Sequence, residues 1–291
     1  MTGSPKRGSL YKNRRRREGA LNVLSFGGLI VITLAVIFPI WWIFRSSLMN
    51  NAELYAWPPA LLPQRWLFSN YAEALKSFPF GRYFTNTMII IAPSVAAGTF
   101  TATLCGYAFA RLRFPGKKLL FSLCVGSMLL PTMVTLIPLY IMWTRGLRLV
   151  DSYWPLILPF FCGGGAFNIF LVRQFIRTIP RELDEAAFID GAGHWRILTG
   201  IIVPAIKPAM VVVALLLFIQ LWNDLLQQTV YINSAEKFTI AIGLTQFKGS
   251  LYSDWAMIMC ATCMSFLPGI VFYLIGQKQF VEGIVLTGMK N

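Results

Sequence analysis

Residues able to do chemistry are sparse in this chain, and their placement excludes most catalytic designs. His194 is the sole histidine, so a histidine-based triad or metal cluster cannot be built in the usual way. Cys260 and Cys263 form a C-x-x-C with no second pair, inside an apolar run, and read as small packing residues rather than redox or metal ligands. Cys105, Cys124 and Cys162 also lie in apolar stretches, so no disulfide framework is implied. No G-x-x-x-x-G-K-[ST] occurs anywhere; ATP hydrolysis is therefore not expected of this polypeptide, and no enzyme is expected. What remains is recognition chemistry. Trp222-Asn223-Asp224 sets an aromatic face beside two hydrogen-bonding groups, a combination that suits sugar and also suits the interfacial end of a span. Asn86 and Asn168 are polar residues expected at membrane depth, where such groups are costly and often functional. Gly163-Gly164-Gly165 reads as a close helix crossing or an unwound segment.

These groups must be positioned by a membrane protein. Hydrophobic residues make up 56% of the chain and charged residues 13%, against about 25% charged in an ordinary soluble domain. Nothing is charged over 19–44, 83–110, 119–144, 152–172 or 255–277, and each run is long enough to cross a hydrocarbon core of about 30 Å. A shorter run begins at Pro208 and spans if Asp224 lies at its outer end or faces the protein interior, giving 208–231. The expected fold class is all-α, a polytopic membrane protein with six transmembrane helices over 19–277. A basic tail, 1–18, precedes them and a second tail, 278–291, follows. Prolines 39, 93, 131, 138, 155, 159 and 268 fall within the spans, and the pair Pro131/Pro138 is the strongest sign of an interrupted helix.

The net charge of +14 would fit nucleic acid only if it formed a basic face on a soluble domain. Here the cations sit between apolar runs. Lys6 to Arg17, Arg111 to Lys118, Arg173 to Lys207 and the C-terminal tail hold 18 of the 26 Lys and Arg residues. The positive-inside rule then predicts both termini in the cytoplasm.

The most informative segment is 173–207. Pro180 followed by Glu182, Asp184 and Glu185 reads as a helix start, with acids where the helix dipole favours them. Gly191 and Gly193 break that helix, Trp195 to Ile202 resumes it, and Pro204 and Pro208 punctuate entry to the next span. A pair of short helices joined at glycine, carrying Leu183, Phe188, Ile189 and Trp195 among charges, is shaped to dock on a partner.

Glu185-Ala186-Ala187, three residues, Gly191, nine residues and Ile201-Ile202-Val203-Pro204 resemble the EAA motif of binding-protein-dependent ABC importer permeases; Val203 stands where leucine is common. Ile189-Asp190-Gly191-Ala192 is the form typical of the carbohydrate, maltose-permease type branch. Arg111 to Lys118 is similar to the family's first cytoplasmic loop, Ile137 to Tyr140 to its third span, Trp222 to Asp224 to the end of its fifth, and Val281 to Lys290 to its C-terminus.

The resemblance implies a type I ABC importer permease fold in the bacterial inner membrane, with 173–207 as a coupling helix pair. Glu182, Asp184, Glu185, Ala186, Ala187, Asp190, Gly191 and Pro204 would form the coupling surface, with Glu185 paired to a basic group of the ATPase. Gly283 and Gly288, in a tail without regular helix, would contact the ATPase too. Implied partners are a second permease, two copies of a P-loop ATPase that bind ATP and Mg²⁺, an extracytoplasmic binding protein, a carbohydrate and the lipid bilayer. The segments from Arg45 to Arg82 and Asp224 to Asp254 are expected to meet the binding protein. The rival reading is a stand-alone secondary transporter, which usually carries ionisable groups near the midplane and repeated halves; neither is visible here.

Overall fold

A computed structural model describes residues 7–77, 79–246 and 254–288, with the backbone alone for 7–21, 23 and 278–288. Fifteen α-helices follow one another, and no strand occurs among the described residues. Two compact units result, Met1–Ala74 with Asp254–Cys263, and Leu75–Ser253 with Met264–Asn291.

In the first unit, α1 (Arg7–Ser47) contains the apolar span Leu24–Ser47, whose residues from Leu24 to Ile40 are all exposed. Short α2 (Asn51–Tyr55) is capped by Asn50, whose side chain accepts from the Glu53 amide at 2.7 Å, filling a donor the first turn leaves unpaired. α3 (Ser69–Ser77) brings Asn70 to donate to the carbonyls of Ser47 and Met49.

The second unit is organised around α4 (Phe80–Arg111). Gly98, Ala102, Gly106 and Ala110 recur every fourth residue along it, and all four are buried. A small residue at each turn lets a neighbouring backbone approach, the way helices associate where lipid removes the usual hydrophobic drive. α5 (Lys117–Gly126) and α6 (Thr132–Ile141) form one apolar stretch, Lys117–Leu129 with Thr132–Gly146, bent by 103°. Leu130, just before Pro131, takes an extended conformation, the one favoured ahead of a proline because the ring crowds the helical region. Pro138 sits inside α6 without ending it.

The fourth span, Trp154–Thr178, is also not one rod: α7 (Trp154–Ile157) gives way to a tight turn and then to α8 (Ala166–Thr178). Between them Gly163, Gly164 and Gly165 all have positive φ, of 111°, 65° and 96°. Both expectations for the triplet hold. The backbone is unwound there, and a Cβ built on Gly164 would stand 2.4 Å from the Gly98 carbonyl oxygen.

α9 (Glu182–Ile189), α10 (His194–Ile197) and α11 (Val203–Ala205) lead to α12 (Lys207–Trp222), with a 77° bend between 205 and 207. The expected fifth span of 208–231 is corrected here. α12 stops at Trp222, and Asp224 caps a separate helix, α13 (Leu225–Tyr231), accepting from the Gln227 amide at 3.1 Å. α14 (Ile240–Gln246) and α15 (Trp255–Gly288) complete the chain. Among the described residues four helices are thus long and apolar enough to cross a membrane, and up to six spans result if each bent pair counts as one. The tail is also corrected: the backbone stays helical through Gly283 and Gly288, and the side chains around those glycines lie outside the described residues.

The core of this unit joins Ala102 and Tyr107 of α4, Ile169, Val172 and Ile176 of α8, and Val213 and Leu217 of α12. Ile197 and Ile202, just after the glycine break, belong to the same cluster, so the 173–207 segment is packed onto the helices rather than hanging free.

Candidate coupling site

The acids of α9 lie in its first turn, as expected, with Glu182 and Glu185 exposed. Its far end closes on Gly191, at φ 79°. The Gly191 amide donates to Phe188 O at 3.0 Å and the Ala192 amide to Ala187 O at 2.9 Å, which are the two bonds of a Schellman stop. A Cβ at 191 would meet nothing within 4 Å. Glycine is required there by the left-handed backbone, not by space.

Three contacts hold this segment against α4. Arg111, the last residue of that helix, places Nε 2.7 Å from Asp184 Oδ2, with both side chains at most 10% exposed. Its Nη2 donates to the Ile179 carbonyl at 2.8 Å, just ahead of α9. Burial pushes the Asp184 carboxyl above its ordinary range, and the Arg111 guanidinium opposes that shift. On the other side of the glycine, Tyr107 Oη and His194 Nδ1 are 3.3 Å apart, and the Phe188 ring meets the His194 ring edge-on at 5.0 Å.

Of the eight residues expected on the coupling surface, Asp184 therefore faces inward as an anchor. Glu182, Glu185, Ala186, Asp190, Gly191 and Pro204 are exposed, and Ala187 is half-buried against the core. Ile189 is 87% exposed and Trp195 62%, so a bare apolar surface surrounds the carboxylates. Arg111 was not singled out from sequence, because its partner lies on a different element far along the chain.

The substrate-path candidates are not brought together. Asn86 is consumed by structure, donating to the carbonyls of Glu236 and Phe238 at 2.8 and 2.9 Å. Asn168 donates to Gly164 O at 2.6 Å, steadying the unwound triplet, while its buried Oδ1 has no partner. Trp222 stacks on Phe218 with 5.5 Å between ring centroids, and Asn223 bonds back to Ile219 O within its own turn. Asp224 is a helix cap whose carboxyl is raised by burial.

A recess of about 460 Å³, not foreseen from sequence, is lined by Tyr153, Trp154 and Phe161 beside Asp151 and Lys237. Asp151 accepts from the amides of Asn233 and Ser234 and from the Ser234 hydroxyl, and pairs with Lys237 Nζ at 3.0 Å.

The family of binding-protein-dependent transport system inner membrane components matches residues 94–279. The chain belongs to that family. As a permease it is similar to YurM of Bacillus subtilis strain 168, a probable ABC transporter permease protein, at 30% identity covering 96% of this chain and 93% of that one. It is 28% identical to NgcG of Streptomyces coelicolor, a diacetylchitobiose uptake system permease, over 91% of this chain and 87% of that one. It is 32% identical to MdxG of Bacillus subtilis strain 168, a maltodextrin transport system permease, over 78% and 81%. Its fold is similar to a chain in the crystal structure of a bacterial ABC transporter that imports the acidic polysaccharide alginate. The TM-score is 0.77, at 25% identity, with 95% of this chain and 99% of that chain covered. The expected permease fold and the non-catalytic, inner-membrane role hold, and nothing in these similarities supports a stand-alone carrier.

Proposed function

We propose that this permease forms half of the translocation path of a carbohydrate importer and is driven by a separate ATPase seated on α9. The observation that carries the coupling assignment is the exposed acid-and-apolar surface of α9, anchored behind by Asp184 and Arg111 and terminated at Gly191. Small Ala186 lets a partner backbone approach closely, while Glu185 offers a charge that fixes register more than it adds affinity. ATP and Mg²⁺ belong to that partner, two copies of which would act on this chain and on a second permease. Closure of the two ATPases would push α9 and, through Arg111, move α4. The excess of cations on this loop, on 111–118 and on both tails supports a reading in which both termini lie on the ATPase side, the cytoplasm. The substrate class is carried over from the sugar-linked relatives, two of which are named for oligosaccharides. An extracytoplasmic binding protein would deliver it to the opposite face.

The test is purification of the tagged chain from membranes in mild detergent, with identification by mass of what accompanies it. A P-loop ATPase and a second multispan protein are expected, both retained by wild type and the ATPase lost from Glu185→Lys and Gly191→Pro. Both variants are expected to insert at normal levels and to abolish uptake. Normal uptake by either variant at normal expression would falsify the coupling assignment, and recovery of this chain alone, active without ATP, would remove the importer reading.

A further inference from the structure

At the α9 end of the bundle, cations from three elements meet. Lys117, at the start of α5, donates through Nζ to the Leu112 carbonyl at 2.7 Å. Arg173 of α8 donates through Nε to the Phe109 carbonyl at 3.2 Å, and its guanidinium lies 3.9 Å over the Phe121 ring. Both thus gather at the C-terminal end of α4, where the helix dipole favours positive charge. The Lys117 ammonium also feels the like charges of Arg113, Arg177 and Arg181, and Lys118 follows on the same helix. Asp184, paired with Arg111, also faces the charge of Arg181. Among the described residues the ion pairs are Arg111 with Asp184 and Lys237 with Asp151, so none of these six cations is ion-paired to a carboxylate.

Two cations capping α4 would need no further explanation, but Arg113, Lys117, Lys118, Arg173 and Arg177 stand at this end with no ion-paired carboxylate among the described residues. The surface that continues from them along α5 is apolar and bare: Leu119 is 65% exposed, Leu120 50% and Leu123 62%. We propose that this corner of α4, α5 and α8 binds the headgroup of an anionic phospholipid, whose acyl chains lie along the exposed leucines of α5. A soluble phosphate would use the cations and leave the apolar strip unexplained; a lipid uses both. Basic pockets between membrane helices are suited to this chemistry, with an attraction of about 1 kcal/mol per Lys or Arg near the surface. The site does not depend on the coupling role of α9, because its ligand is the bilayer.

The experiment is native mass spectrometry of the permease, with whatever subunits accompany it, released from vesicles of equal phosphatidylglycerol and phosphatidylcholine. Wild type is expected to retain phosphatidylglycerol preferentially. Arg113→Gln with Lys118→Gln and Arg177→Gln, all exposed side chains, should weaken that retention about five-fold per cation removed, the equivalent of the attraction above. Arg65→Gln with Lys76→Gln and Arg145→Gln, exposed cations elsewhere, lower the net charge equally and should leave retention unchanged. Arg113→Lys with Arg177→Lys should preserve it, which guards against a folding defect. Equal retention of the two lipids by wild type would overturn the proposal. So would equal loss from both triple variants, or displacement of phosphatidylglycerol by excess inorganic phosphate.

Discussion

At position 164 an alanine methyl would stand 2.4 Å from the Gly98 carbonyl oxygen and 2.7 Å from its Cα, at a backbone φ of 65°. Neither obstacle is a movable side-chain tip. On the other side of the same contact, a methyl at 98 would meet the flexible end of Leu217 at 2.8 Å and Gly164 Cα at 3.3 Å. Gly164→Ala should therefore cost more stability than Gly98→Ala, since it adds left-handed strain of about 1–2 kcal/mol to overpacking of about 1–3 kcal/mol. Thermal unfolding of the two variants in detergent checks the order. Asp151 offers a second test at this scale. Hydrogen bonds from Ser234 and Asn233 and the Lys237 ammonium hold its carboxyl well below the usual carboxylate range. A group depressed in the folded state stabilises above its unfolded pKa, near ~3.9, and loses that contribution as pH falls through the folded value. Asp151→Asn keeps a residue that tolerates the φ of 49° at this site. It should lower the melting temperature at neutral pH and remove this part of the acid dependence, as melting curves across pH would reveal.

Between elements, the bond that matters most is the one from the end of α4 to α9. Arg111→Ala or Asp184→Ala would each strand a buried opposite charge, and breaking such a pair costs about 3–5 kcal/mol. The reversal Arg111→Asp with Asp184→Arg should recover part of that loss. The Ile179 carbonyl, which Arg111 also binds, would stay unsatisfied. A double-mutant cycle on unfolding in detergent reads the coupling directly. This pair was invisible in the sequence because charge spacing reports contacts only along one helix, and these residues sit on different elements. The bends were half-legible. Counting uncharged runs finds stretches able to span but carries no information about direction, so Pro131 and Pro138 looked alike. Only Pro131 follows a residue that leaves the helical region, and there the chain turns. The four-residue spacing of Gly98, Ala102, Gly106 and Ala110 stands in the sequence but was not singled out there; it marks the face of α4 that meets α8.

For the molecule as a whole, the long apolar runs and the 173–207 segment were legible because a bilayer imposes length and a helix stop imposes glycine. The substrate path was not. Asn86 and Asn168 are polar for structural reasons that appear only when Glu236, Phe238 and Gly164 are brought beside them. The same packing gives α4 a mechanical character. Near one end Asn86 and Thr87 bind the 236–240 segment; at the other Arg111 holds α9. Between them stands Pro93, within a helix of 32 residues, where the ring removes one bond of the ladder and leaves a natural pivot. Arg111 lies about 27 Å from Pro93 along the helix and Asn86 about 10 Å, at ~1.5 Å per residue. A joint there would make α4 a two-part link rather than a rigid rod: a displacement at the α9 end would be absorbed partly at Pro93 before it reached the 236–240 segment.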